Sequence, residues 1–252
     1  MLSAATSAKA TAHWASEFSC APEAMFAESQ HVMPHGRALA GYNGVFALFR
    51  EGRMMMSVPE PRLDEWIDRM PAEPLHPKMW AALFRAFDFR VIGPAFIGYA
   101  EEIGEAGDRA RILDAGDAAQ AALLENACEP EEWDHGGSVV GEVPCSGVFT
   151  EDGSLAALAG YEVWSGTIAH ISIVTHPGFR GRGYGRDAVA HLARRAIAAG
   201  LVPQYRTLTA NAPSMRIAAA LGFQHYATSV AIRLGELEKR QPSISESSPR
   251  PD

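Results

Sequence analysis

The sequence predicts an α/β protein of the α+β kind, a mixed sheet with helices on its faces. Three observations predict it. Strand-length apolar runs alternate with segments whose apolar residues recur at helical spacing. Some of those runs are joined by tight turns and others by helices, so antiparallel and crossover connections coexist. A glycine-rich basic stretch, "PGFRGRGYGRDAV" (177–189), separates a strand from a helix.

Taken in order, the first dozen residues read as loose, and residues 14–29 fit a helix. "GYNGVFALFREGRMMMSVPEP" (41–61) reads as two strands turning at Glu51–Gly52. "RLDEWIDRM" and "HPKMWAALFRAF" are short amphipathic helices, separated by the proline-rich "PAEPLHP". "GPAFIGYAEE" (93–102) is a strand. The charged, glycine-bearing "EEIGEAGDRA" marks a boundary, giving a smaller α/β domain over 1–105 and a second over 106–235. The second opens with a strand at 109–113, a helix capped by Asp117, and a polar turn region, "EPEEWDHGG". "CSGVFT" and "LAALAGYEVW" form a hairpin through "EDGS", and "IAHISIVT" (168–175) follows. After the glycine loop, Val189, Leu192, Ala193, Ala196 and Ile197 share one helical face, and Gly200 stops that helix. "QYRTLTA" is a strand, "NAPSMRIAAALG" a helix and "FQHYATSVAIRL" a last strand. The tail 236–252, poor in apolar residues, reads as disordered.

Bulk properties exclude several classes. Net charge is −8 and the pI about 5.6, which argues against nucleic-acid binding, since that needs a basic face. Cys20, Cys128 and Cys145 are widely spaced, which fits neither a disulfide framework nor a zinc site and matches a reducing cytoplasm. No apolar run approaches the ~20 residues of a membrane span, and the nine histidines have no metal-ligand spacing.

The glycine loop asks for an anion. A helix starting near Gly183 exposes backbone N–H groups and partial positive charge, and glycines let phosphate oxygens come close. Arg180, Arg182 and Arg186 add guanidinium groups that would repel one another without a counter-charge. A pyrophosphate fits. A P-loop does not, because the three lysines (Lys9, Lys78 and Lys239) all lie far from this loop. A dinucleotide fingerprint also fails, because its last glycine falls on Arg186 or Ala188.

What fits is R-x-x-G-x-G, spelled Arg180-Gly181-Arg182-Gly183-Tyr184-Gly185 at a strand-to-helix junction. It resembles the coenzyme A-binding motif of the GNAT superfamily of N-acetyltransferases. The preceding hairpin and the later "NAPSMRIAAALGF" fit that family, and the resemblance covers roughly 108–234. It implies a mostly antiparallel sheet and acetyl-CoA as acetyl donor. The motif strand would be splayed from its neighbour by a bulge, with the backbone of Ile173, Val174 and Thr175 on the cofactor. The loop Arg180–Arg186, with Asn211 and Ser214, would complete the cofactor site. Asn211 and Ser214 read equally well as helix caps. The family's usual base position is Ala169 here, with Ile171 next on that face, and neither takes a proton; His170 has the opposite parity. The usual tyrosine acid is replaced by Ala218. Tyr226 and Glu162 are the candidate catalytic residues in their place.

The resemblance therefore implies an acetyl-CoA-dependent N-acetyltransferase acting on a primary amine, with a small molecule favoured as acceptor. A non-catalytic acyl-CoA sensor and a longer-chain acyltransferase stay open. The N-terminal segment either walls the acceptor pocket or pairs two copies of the chain as a homodimer.

Overall fold

Among the described residues, alternating apolar runs build ten strands: β1 (Gln30–Pro34), β2 (Gly44–Arg50), β3 (Arg53–Val58), β4 (Arg90–Tyr99), β5 (Ala110–Ile112), β6 (Cys145–Phe149), β7 (Leu155–Trp164), β8 (Ile168–Thr175), β9 (Val202–Leu208) and β10 (Gln224–Arg233). Seven α-helices accompany them among the same residues: α1 (Ala4–Phe18), α2 (Leu63–Asp68), α3 (Pro77–Ala86), α4 (Ala118–Ala127), α5 (Pro130–Gly136), α6 (Tyr184–Ala198) and α7 (Ala212–Ala220). The computed structural model describes residues 1–68, 70, 73, 76–86 and 89–234. The tail expected at 236–252 lies outside them.

All ten strands belong to one sheet, in the order β1-β3-β2-β10-β4-β9-β8-β7-β6-β5. The β1–β3 and β8–β9 pairs are parallel and the rest antiparallel. The expected mixed, mostly antiparallel sheet is therefore the observed one. Side chains alternate across it. On β8, Ala169 and Ile171 pack under α6 and α7. Ile168 packs with α1, and Val174 with α4. Helices α1, α4 and α5 thus share one face. Helices α6, α7, α2 and α3 share the other, where α2 and α3 cover Val45, Ala47 and Phe49 of β2.

The sheet does not break at residue 105. Strand β4 is hydrogen-bonded to β10 on one side and β9 on the other, so the first hundred residues contribute an internal strand to the sheet that carries the glycine loop. The sequence placed a separate smaller domain there because charge and glycine mark a surface loop, and a loop between adjacent strands looks the same as a linker.

Four local expectations are corrected. The N-terminus is helical from Ala4, where Ser3 Oγ accepts from the Thr6 N–H, and α1 ends at Phe18 rather than near 29. A short strand, β1, forms just past the expected helix, where no element was expected. Asp114, not Asp117, caps the turn leading into α4, and Asp117 answers it in a capping box. "EPEEWDHGG" holds the helix α5, with Pro130 in its first turn. The hairpin turn at Glu51–Gly52 is confirmed, both residues having positive φ (51° and 76°).

Candidate functional site

The site begins where two parallel strands part. The β8–β9 ladder runs from Ile168↔Val202 to Ile171↔Tyr205 and stops, although β8 continues to Thr175 and β9 to Leu208. On its other edge β9 pairs Gln204–Leu208 with Ala95–Tyr99 of β4, and that pairing runs on past the end of the β8 ladder. A wedge-shaped gap opens between β8 and β9. The bulge expected in β8 is absent, since its register with β7 is unbroken from Trp164↔Ile168 to Ala157↔Thr175. The divergence comes from β9 following β4.

Backbone alternation shows which groups face the gap. The N–H of His176 donates to Ala156 C=O on the β7 side. Counting back, Val174 and Ser172 also face β7, while Ile173 and Thr175 face the gap. Val174, expected to present its backbone to a cofactor, spends it on the β7 ladder instead. The Thr175 carbonyl accepts from Arg180 Nε at 3.2 Å. Helix α5 closes over this edge so tightly that a Cβ on Gly136 would stand 2.6 Å from the Ile173 carbonyl oxygen.

The glycine loop sits at the wide end of the gap. Gly183 is the N-cap of α6 with φ 83°, and no side chain caps the helix. The first-turn amides are therefore left to an external acceptor. Gly185 brings α6 against the strand end, 2.7 Å from added Cβ to Thr175 Oγ1. Arg186 Nε is buried with no hydrogen-bond partner, 3.7 Å from Asp187 Oδ1. Arg182 is exposed, its guanidinium 5.7 Å from the Phe179 ring. Arg180 is already engaged: its Nη2 donates to Glu132 at 2.9 and 2.7 Å. An open helix end, an orphaned guanidinium N–H and an exposed surface charge fit a pyrophosphate, provided Arg180 exchanges Glu132 for it.

The loop is anchored by a pair that sequence reasoning missed. Asp187 is fully buried; it accepts from Arg109 Nε at 2.6 Å and from the Gly107 N–H at 3.0 Å. Arg109 also donates to Arg182 C=O and covers the Tyr184 ring at 4.5 Å. An acid in the first turn of a helix was legible as a dipole partner; its arginine, 78 residues away, was not.

At α7, Asn211 accepts from the Ser214 N–H at 3.2 Å, and Ser214 Oγ is 2.8 Å from the Tyr205 hydroxyl. Both residues have structural partners and stand next to β9.

The two faces of the gap differ in chemistry. Toward α6 it presents Ile171, Ile173 and Tyr205. Toward α1 it presents His170, Ser172, Gln204 and Arg206. His170 Nδ1 is 2.8 Å from Gln204 Oε1, and Gln204 Nε2 donates to the Tyr99 hydroxyl at 2.7 Å. The Trp14 indole N–H donates to the same hydroxyl at 2.9 Å. With the Gln204 amide in this orientation, His170 carries its proton on Nδ1 and keeps a lone pair on Nε2. Its ring stacks on Trp164 at 3.8 Å, and burial lowers its pKa to about 4, so it is neutral near pH 7.

Of the two candidate catalytic residues, Glu162 lies opposite His170 in the β7–β8 register, and its carboxylate accepts from the Trp164 N–H at 3.0 Å. Tyr226 is not brought to the gap. It stands on β10, three strands from β8 and so roughly 14 Å away. There it is buried beneath α1, with its hydroxyl 3.0 Å from Thr11 Oγ1 and Arg50 over its ring at 4.4 Å. The sequence placed Tyr226 near the gap because it follows the α7 segment closely, but β4 intervenes between β9 and β10.

Among the described residues, no cluster of metal-ligating side chains occurs and no helix is long and apolar enough to cross a membrane. No curated protein sequence matches the chain. Among solved structures it is similar to a GNAT-family protein from Novosphingobium aromaticivorans, at 27% identity and a TM-score of 0.44 over 57% of this chain and 66% of that one. A GNAT-family acetyltransferase from Colwellia psychrerythraea gives 16% and 0.46 over 60% and 61%. A GCN5-related N-acetyltransferase-like protein from Streptococcus suis gives 13% and 0.44 over 75% and 83%. The chain thus spans less than two thirds of the first two. A sequence model of the acetyltransferase (GNAT) family matches residues 117–223, a segment that runs from the α4 cap to the end of α7 and contains both the gap and the glycine loop. Over residues 117–223 the chain is similar to the acetyltransferase (GNAT) family.

Proposed function

We propose that the chain transfers an acetyl group from acetyl-CoA to the primary amine of a small molecule. The observation that carries this reading is the β8–β9 ladder ending at Ile171↔Tyr205 with an uncapped, arginine-flanked helix start at the mouth of the opening. The first-turn amides of α6, with Arg182, Arg186 and a released Arg180, would hold the diphosphate. The free N–H and C=O groups of Ile173 would pair with an amide-bearing arm laid along β8 as an added strand would. Asn211 and Ser214 flank the same arm.

Bound acetyl-CoA supplies an activated thioester. The chain's own part is to orient and to stabilise charge. An N–H from the free edge of β8, aimed into the gap, stabilises negative charge developing on a carbonyl oxygen there. The amine must reach the gap uncharged. On the α1 side, neutral His170 offers Nε2 as a proton acceptor, and Glu162 beside it stabilises the resulting imidazolium. Burial makes His170 a weak base, so its contribution is to orient the amine lone pair as much as to remove a proton.

A second reading, a non-catalytic acyl-CoA sensor, is favoured by one observation: Ala169 and Ile171, at the family's usual base positions, are buried core residues. Titration calorimetry with coenzyme A tests the common premise, and thiol release across an amine panel tests catalysis. Absence of coenzyme A binding overturns both readings; binding without turnover selects the sensor.

A further inference from the structure

We infer that the acceptor carries an anionic group, a carboxylate spaced a few carbons from its amine, held by Arg206 in a recess under α1. This deepens the acetyltransferase reading and rests on it. Arg206 leaves β9 on the polar face, directly beyond the point where the β8 ladder ends. Its guanidinium reaches across β4 to β10, where Nη2 donates to Ser229 Oγ at 3.3 Å. That is its one hydrogen bond among the described residues, and no carboxylate there forms an ion pair with it. Its guanidinium also lies 5.5 Å from the Phe46 ring.

An arginine in this state is unusual. It has five N–H donors, and a charge inside a protein is normally matched by an acid. Burial here lowers the pKa, so the cost of desolvation is not met by a counter-ion. Part of the side chain is nonetheless accessible, as are the adjoining Tyr42 and Ile92. A guanidinium enclosed by protein but open on one side faces a recess, and a recess with an unmatched fork of donors selects a planar oxyanion. The two phenols nearest in charge, Tyr99 and Tyr42, are not pre-empting that role. Burial pushes both phenols well up and holds them neutral.

The polar chain His170–Gln204–Tyr99 starts at the gap and lies on the same face of the sheet as Arg206. An amine at the gap and a carboxylate at Arg206 are therefore separated by the width of about two strands, on the order of 10 Å at most. A short ω-amino acid or an amino acid with an extended side chain spans it. A plain alkylamine leaves Arg206 unmatched, and the site discriminates against it for that reason.

The test compares matched ligands: β-alanine with n-propylamine, γ-aminobutyrate with n-butylamine. On wild-type protein saturated with acetyl-CoA, the carboxylate member of at least one pair is expected to show a kcat/KM at least about tenfold higher. In Arg206→Gln that preference disappears while the Kd for coenzyme A is unchanged. Equal kcat/KM within every pair, or a preference that survives in Arg206→Gln, overturns the inference. If no amine is turned over, calorimetric titration of the same pairs into the coenzyme A complex decides: carboxylate-dependent binding supports the Arg206 site and its absence removes it. If coenzyme A itself does not bind, the acetyltransferase reading fails separately, and γ-aminobutyrate against n-butylamine on the free protein still reads Arg206. The wild-type comparison does not depend on the variant folding.

Discussion

Replacing Glu132 with Gln is expected to tighten coenzyme A binding. In the free protein Arg180 Nη2 donates to both Glu132 oxygens, and the two side chains are 48% and 46% exposed. A diphosphate at the α6 N-terminus must displace that carboxylate or share the guanidinium with it. Exposed ion pairs are worth about 0.2–1 kcal/mol. Removing the competitor therefore returns up to about 1 kcal/mol to binding, a tightening of up to about fivefold in Kd. Global stability should fall by no more than the same amount. Calorimetry at low and at raised ionic strength reads the effect, which should shrink as salt screens the pair. A double-mutant cycle isolates the cause: in an Arg180→Ala background, Glu132→Gln should leave the Kd almost unchanged. Weaker binding in Glu132→Gln, or equal tightening with and without Arg180, would refute the competition and remove Arg180 from the phosphate site.

Three further outcomes are expected. Gly183→Asp places a side chain at φ 83° and a carboxylate at the open helix end, so coenzyme A binding should be lost with the circular dichroism spectrum retained; native affinity in this variant contradicts the phosphate assignment. Arg109→Met leaves the fully buried Asp187 carboxylate with only the Gly107 amide and a distant Arg186. Because Arg109 is 41% exposed, the cost is set below that of a fully buried pair, at about 2 kcal/mol, read as a lower urea midpoint with an unchanged slope. Burial depresses His13 and His170 from 6.5 to about 4 in the folded state. Unfolded histidines bind protons first as pH falls, so the stability these two contribute is intact above pH 6.5 and lost between 6.5 and about 4. The slope approaches about 2.7 kcal/mol per pH unit if both titrate together. His13→Gln should remove about half of it, and a pH-independent midpoint over that window would contradict the burial of both rings.

Legibility followed range along the chain. The Glu51–Gly52 turn, the 3.6-residue period of α6 and the glycine cap at Gly183 are decided within a few residues, and each was read correctly. The short-range misses were ambiguities of local code. Asp114 and Asp117 both suit a cap, and the choice depends on which one's partner amide is in reach. "EPEEWDHGG" has turn residues at both ends but a helix between them. The long-range features carried no local mark. Nothing near Asp187 names Arg109, and nothing near Tyr226 says that a strand from residues 90–99 will stand between it and the gap. Arg206 went unnoticed for the opposite reason: an arginine in a strand looks like surface until its neighbours prove apolar.

The position of β4 between β9 and β10 also governs how the chain can be assembled. Its two strand partners, Val202–Leu208 and Gln224–Arg233, follow it by more than a hundred residues. Both hydrogen-bonding edges of β4 must wait, unpaired, for the far end of the polypeptide, a high-contact-order closure that sets the pace of the whole fold. A fragment beginning at the family domain would lack this filler, leaving two raw edges where an interior should be. The segment that carries the glycine loop is therefore not a module that can be excised.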